Sequence, residues 1–111
     1  MSRGIPEGDW KVFRELQKLA LERLCEKALA EAKAEIERPD KSSHARYLRL
    51  FVVLQDRDQE IARGFNDLRR STALMQISII HSMGLWTAEE ISRFSPVTLQ
   101  AIEMFASVRR A

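Results

Sequence analysis

The side chains of this chain with chemical potential are two histidines, one cysteine, a short run of carboxylates and a central set of arginines. His44 and His81 lie far apart in sequence, and His81 falls near the end of an apolar segment, where an imidazolium complements a helix C-terminus without any catalytic role. Cys25 stands alone, which excludes an internal disulfide and a thiolate metal cluster and fits a reducing compartment. Asp56, Asp58 and Glu60 fall within a turn and a half of helix, but a step of about 100° per residue sends residues two apart to different faces, so the three do not converge. Arg57, Arg63, Arg69 and Arg70, with Arg46 and Arg49 upstream, are the best binding candidates, because guanidinium forks suit bidentate recognition of carboxylate or phosphate. Asp56, Glu60 and Asp67 lie among them at helical spacing, so the set reads first as a solvated, salt-laced face. Any ligand it takes should be anionic, a nucleic-acid backbone included. No Gly-rich phosphate loop, HExxH, CxxC or nucleophile elbow occurs. No catalytic, cofactor-binding or metal-ligating residue is therefore assigned, and neither a cofactor nor an enzymatic activity is expected.

Composition narrows the architecture that must position these groups. The 111 residues are 45% hydrophobic and 31% charged, with only 4 Gly and 3 Pro, which suits long helices better than a turn-rich sheet. The length fits a single helical domain over 1–111. A net charge of +2 is too weak a field to argue for nucleic acid, although 13 of the 18 basic residues are Arg. No apolar run approaches the roughly 20 residues needed to span a bilayer, and Met1–Gly8 lacks the apolar core of a leader. The expectation is a soluble, cytoplasmic protein with no membrane partner.

Gly4, Pro6 and Gly8 predict a flexible arm over 1–8. Asp9 is suited to cap a first helix over 9–37, whose apolar face is Trp10, Phe13, Leu16, Ala20, Leu24 and Ala28. Its Lys–Glu pairs, Lys11–Glu15, Lys18–Glu22, Lys27–Glu31 and Lys33–Glu37, have the weaker orientation and read as a solvated face. Arg38-Pro39 stops this helix. Ser42 or Ser43 then caps a second helix over 43–83, which Gly84 ends. Along it runs a seam in alternating four- and three-residue steps: Tyr47, Phe51, Leu54, Asp58, Ile61, Phe65, Leu68, Thr72, Met75, Ile79. A continuous helix of that length would be about 60 Å long, whereas a compact domain of this size has a radius of gyration near 13 Å. Either the hairpin is elongated and another chain covers the seam, or the helix breaks at Gly64. The seam resumes in phase at Phe65, which favours continuity. The stretch Leu54, Asp58, Ile61, Phe65, Leu68 and Thr72 has flanks too polar to be core on both sides, so a second copy is expected to cover it, with Asp58 at the seam edge or fixing register.

The C-terminal third has the plainest local signals. Thr87-Ala88-Glu89-Glu90 is a capping box, with Trp86 and Ile91 as its hydrophobic staple; Ser95-Pro96 starts a last helix, with Phe94 and Leu99 as a second staple. Short helices are therefore predicted over 87–93 and 96–108, folding Trp86, Phe94 and Phe105 onto the end of the second helix. Glu90–Thr98 superficially suggests half of a helix-turn-helix, but the junction is too short and Val97–Phe105 carries no Arg or Lys.

Asp9-Trp10-Lys11-x-Phe13-Arg14, then Arg70-Ser71-Thr72 before an apolar helix, then Gly84 and a short acidic helix ending at Phe94-Ser95, together resemble a group of small bacterial helical proteins with no established activity. Members of that group carry helix-breaking residues before the Arg-Ser-Thr triplet, where this chain has only Gly64. The resemblance implies an all-α protein and no particular chemistry. The combined expectation is an all-α, bundle-like protein, a long helical hairpin with two short C-terminal helices, acting as a non-enzymatic interaction module. It should be homo-oligomeric, a dimer first, with an unidentified protein partner. The alternatives are a nucleic-acid-associated accessory protein using the Arg face, which is disfavoured, and a small inhibitor of a host factor encoded by a mobile element.

Overall fold

A computed structural model describes residues 4–110, with side chains through 108. The chain is all-α: α1 (Glu7–Ile36), α2 (Ser43–Phe65), a 3-10 turn (Arg70–Thr72), α3 (Ala73–Ser82), α4 (Ala88–Ile91) and α5 (Pro96–Arg110), with no strand among the described residues. Two long packed helices carry short C-terminal helices at one end, a bundle-like arrangement. The radius of gyration is 16.9 Å and the extents are 57 × 30 × 25 Å, against about 13 Å for a compact chain of this length.

The excess length comes from where the core lies. Phe13, Leu16, Ala20 and Leu24 of α1 pack with Phe65, with Ala73, Ile77 and Ile80 of α3, and with Trp86, Phe94 and Ile102. Nothing from residues 25–60 belongs to that cluster. The globular end is thus built on the first half of α1, and the second half of α1 with most of α2 projects from it as a two-helix arm.

The expected helix over 43–83 is corrected: α2 ends at Phe65, and α3 folds back beside it. Gly64 is not the break, since it is helical and buried, and a Cβ there would lie 3.3 Å from Met83 Cε and 3.4 Å from Ile80 Cγ1. Its missing side chain lets α3 approach the end of α2. The turn itself is made at Asn66–Arg69. The Asp67 carbonyl accepts from Arg69 N at 3.1 Å, Arg69 is extended (φ −129°, ψ 144°), and the Arg69 carbonyl accepts from Thr72 N at 3.2 Å. The Thr72 hydroxyl also donates to the Arg69 carbonyl at 3.2 Å, and side-chain bonds of this kind compete with the helical ladder. The energetic reason is α3, apolar on nearly every side: the fold-back fully buries Ile77 and Ile80, worth about 1.5–3 kcal/mol each.

Two other N-terminal expectations are corrected. Residues 1–3 of the expected flexible arm lie outside the described residues, but Ile5 is buried in the core and Glu7–Gly8 are helical. Gly4 passes so close to Arg70 that a Cβ would sit 2.8 Å from its carbonyl oxygen. Asp9 does not cap α1, which starts two residues earlier; it is buried and holds the start of α5 from across the molecule. Its Oδ1 accepts from Ser95 N at 2.8 Å, and its Oδ2 from the Ser95 and Thr98 hydroxyls at 2.6 and 2.5 Å. Burial opposes its charge, but these bonds outweigh that and hold its pKa below the usual 3.8.

The C-terminal signals form as their residues dictate. Thr87 and Glu90 make the reciprocal capping box, and Gly84 ends α3 in the left-handed region at φ 72°. Glu90 also takes a bidentate bond from Arg23 of α1 at 2.7 and 2.8 Å, while Arg23 donates to the Leu85 carbonyl. Arg23 first and the Thr87 amide second lower the Glu90 pKa to about 2. Trp86 donates its indole N–H to the Leu16 carbonyl at 2.8 Å, in the core. Phe94 is buried as expected, whereas Phe105 remains 40% exposed on α5.

Candidate functional site

The arm is built unlike the globular end. Towards α2, α1 presents Ala28 and Ala32, both buried, together with Glu31 and Glu35. Arg57 of α2 pairs with Glu31 and, more closely, with Glu60 on its own helix; Arg49 pairs with Glu35. Arg46 donates to the Ile36 carbonyl at 2.6 Å, capping the C-terminus of α1 with a cation. Among the large apolar side chains of α2 here, only Leu50 and Val53 are even half-buried. The small side chains permit close approach and the ion pairs fill the space between the helices.

The large apolar side chains face out. Tyr47 is 65%, Phe51 55% and Leu54 46% exposed on α2, while Leu29 is 68% and Ile36 52% exposed on α1. Ile36 and Tyr47 line one groove of about 240 Å³ with Leu50 and Arg46. Ala28, Phe51, Leu54 and Ile61 line another of about 450 Å³, with Asp58 at its margin. Leu29 lies seven residues before Ile36 and so shares its side of α1. Both helices therefore contribute to one apolar side of the arm, and Leu48 and Val52 extend it round α2. Solvent-facing apolar residues scattered singly are ordinary; a stripe of them over two helices is not.

The predicted seam is only partly this surface. Leu54 and Asp58 lie on it, Ile61 is half-buried at the base of the arm, and Phe65 belongs to the intramolecular core. Leu68 and Thr72 fall in the turn after α2, so the seam's C-terminal half is not a continuous helical stripe. The exposed stripe runs instead toward the N-terminus, through Tyr47 and Phe51. Periodicity supplied the phase, but only the fold-back of α3 decides which part is already covered.

Three of the four candidate arginines have acidic partners within the chain. Besides Arg57, Arg69 is held bidentately by Asp67 at 2.6 and 2.7 Å, which keeps the Asp67 carboxyl below its ordinary range. Arg70 donates to the Ile5 carbonyl at 3.0 Å and to Glu7 at 2.7 Å, tying the N-terminus to the turn. The Arg63 side chain is exposed and makes no hydrogen bond or ion pair among the described residues. None of the expected Lys–Glu pairs of α1 forms among the described residues; Glu15 pairs with Arg93 and Glu31 with Arg57 instead. His44 is exposed and His81 half-buried, on different helices, and Cys25 is a half-buried free thiol. Among the described residues no three His, Cys, Asp or Glu side chains are grouped so as to hold a metal ion, and no helix is long and apolar enough to cross a membrane. A smaller apolar stripe, Val97, Met104 and Val108, faces out from α5.

In comparisons with known proteins, no family model, no curated protein and no solved structure matches this chain.

Proposed function

We propose that this protein is a non-enzymatic interaction module whose two-helix arm docks another helical protein along its apolar side. The observation that carries this reading is the inversion of the arm. Its helices meet through alanines and ion pairs, while Leu29, Ile36, Tyr47, Phe51 and Leu54 face solvent. An arm built only to stabilise the chain would place those side chains between its helices, where each would gain about 1.5–3 kcal/mol. Amphipathic helices laid into apolar grooves are the usual partners of such a surface. The alternative of phosphate binding draws no support from the arginines, since Arg57, Arg69 and Arg70 already have acidic partners within the chain.

The test is a photo-crosslinking residue placed at Phe51, with the same residue at exposed Glu22 as control. In cells expressing the protein, Phe51 should give adducts of defined mass and Glu22 should not. Equal or absent labelling at the two positions would overturn the reading.

A further inference from the structure

We infer that the occupant of the arm's apolar side is a second copy of this chain, with the two α2 helices antiparallel across a twofold axis near Phe51. The inference rests on the interaction-module reading and names its partner.

Area is the first argument. The chain exposes 7512 Å², about 1,200 Å² more than the roughly 6,300 Å² expected for a compact monomer of its mass. A standard stable interface removes about 800 Å² from each partner. The surplus is thus large enough for one such interface, and the arm that creates it also carries the outward apolar side chains.

Self-complementarity is the second. A twofold interface must match itself, so each feature on one side of the axis needs its complement at the same distance on the other. His44 and Asp58 stand seven residues to either side of Phe51, on the same stripe of α2. Both are exposed, and neither side chain makes a hydrogen bond or ion pair among the described residues. An antiparallel pairing centred on Phe51 sets His44 against Asp58 of the second copy at both ends of the contact. The same pairing sets Leu48 against Leu54 and Tyr47 against Gln55. A parallel pairing would set Asp58 against Asp58, which like-charge repulsion opposes. Leu29 and Ile36 of each α1 would then flank the contact, completing a four-helix arrangement of two arms.

The experiment uses the full-length chain in a Cys25→Ser background, with His44→Cys in one preparation and Asp58→Cys in another. Circular dichroism confirms that both retain wild-type helicity, as exposed positions should allow. The preparations are treated with a short bismaleimide separately and after mixing. The expected result is crosslinked dimer in the mixture at least tenfold above that in either preparation alone. Crosslinking of Asp58→Cys with itself to the same extent would overturn the antiparallel pairing. Absence of crosslinks in the mixture would overturn self-docking at this face. In either case adducts from Phe51 to other proteins would leave the interaction-module reading standing, whereas loss of all Phe51 adducts would remove that too.

Discussion

Replacing Asp9 with Ala probes a contact that joins the first turn of α1 to the start of α5, far apart in the chain. The side chain is 4% exposed and accepts three hydrogen bonds, from Ser95 N, Ser95 Oγ and Thr98 Oγ1. Hydrogen bonds to an ionised acceptor contribute about 1.5–3 kcal/mol each, and a buried donor left unpaired costs about 1–3 kcal/mol. The losses do not simply add. Ser95 is half-buried and its hydroxyl can turn to water, and the Thr98 hydroxyl can fall back on a carbonyl of the preceding turn. The amide of Ser95 has no such substitute, so the net cost of Asp9→Ala should be about 3 kcal/mol. With a urea slope near 1.5 kcal/mol per molar, the midpoint falls by about 2 M. A double-mutant cycle with Ser95→Ala should show coupling of at least about 1 kcal/mol. The pH dependence has a defined sign. Because the folded-state pKa is lowered below 3.8, the stabilisation is fully present above that value and is lost as pH falls through the lowered one. The gap between wild type and Asp9→Ala should therefore be constant near neutrality and close below about pH 3.8. Chemical denaturation at several pH values measures all of this. A cost below about 0.5 kcal/mol at pH 7, additive with Ser95→Ala, would refute this long-range contact.

Trp86→Phe should cost about 1 kcal/mol in the same assay, because it removes the indole bond to the Leu16 carbonyl, which keeps its helical bond within α1. Glu90, lowered from 4.5 to about 2, contributes stability that persists above pH 4.5 and is lost as pH falls toward 2; in acid titration Glu90→Gln should flatten that part of the profile. Gly64→Leu should separate α3 from α2, since even a Cβ meets Met83 and Ile80 at 3.3 and 3.4 Å, and should cost more than the ~1 kcal/mol that a better helix former would return. Deleting residues 87–111 should expose Ile77 and Ile80 and cause aggregation, seen as turbidity on purification; a soluble product of unchanged helicity per residue would contradict the packing of α3 on α5.

Local signals in the sequence translated most faithfully. The capping box at Thr87–Glu90, the Ser42 cap, the stop at Gly84 and the apolar face Phe13–Leu16–Ala20–Leu24 each depend on residues within a few positions of one another, and each forms. Long-range choices did not read through. A helix over 43–83 keeps one apolar phase throughout, and the turn at Asn66–Arg69 contains neither Gly nor Pro; Asn66-Asp67 is its one local signal, and the burial of Ile77 and Ile80 decides it. The Asp9 cap was misplaced for the same reason, since its acceptor geometry suits a local amide as well as a distant one. The candidate surface was legible as a period but not as a location. Phe65 and Phe51 occupy equivalent seam positions, yet one is core and the other is 55% exposed. The acidic partners of Arg57, Arg69 and Arg70 were partly visible, as the interleaved Glu60 and Asp67, whereas Glu7 and Glu31 come from another helix.

The central claim is that the arm's apolar side serves association and not folding, and sedimentation equilibrium of wild type against Phe51→Asp tests it most directly. At an exposed helical position the substitution should change monomer stability by no more than about 0.5 kcal/mol. Wild type should pass with rising concentration from 12.8 kDa to twice that mass, whereas Phe51→Asp, equally helical, should stay at the lower value throughout. A wild-type mass of 12.8 kDa up to high micromolar concentration, or a Phe51→Asp chain that unfolds, would contradict the account.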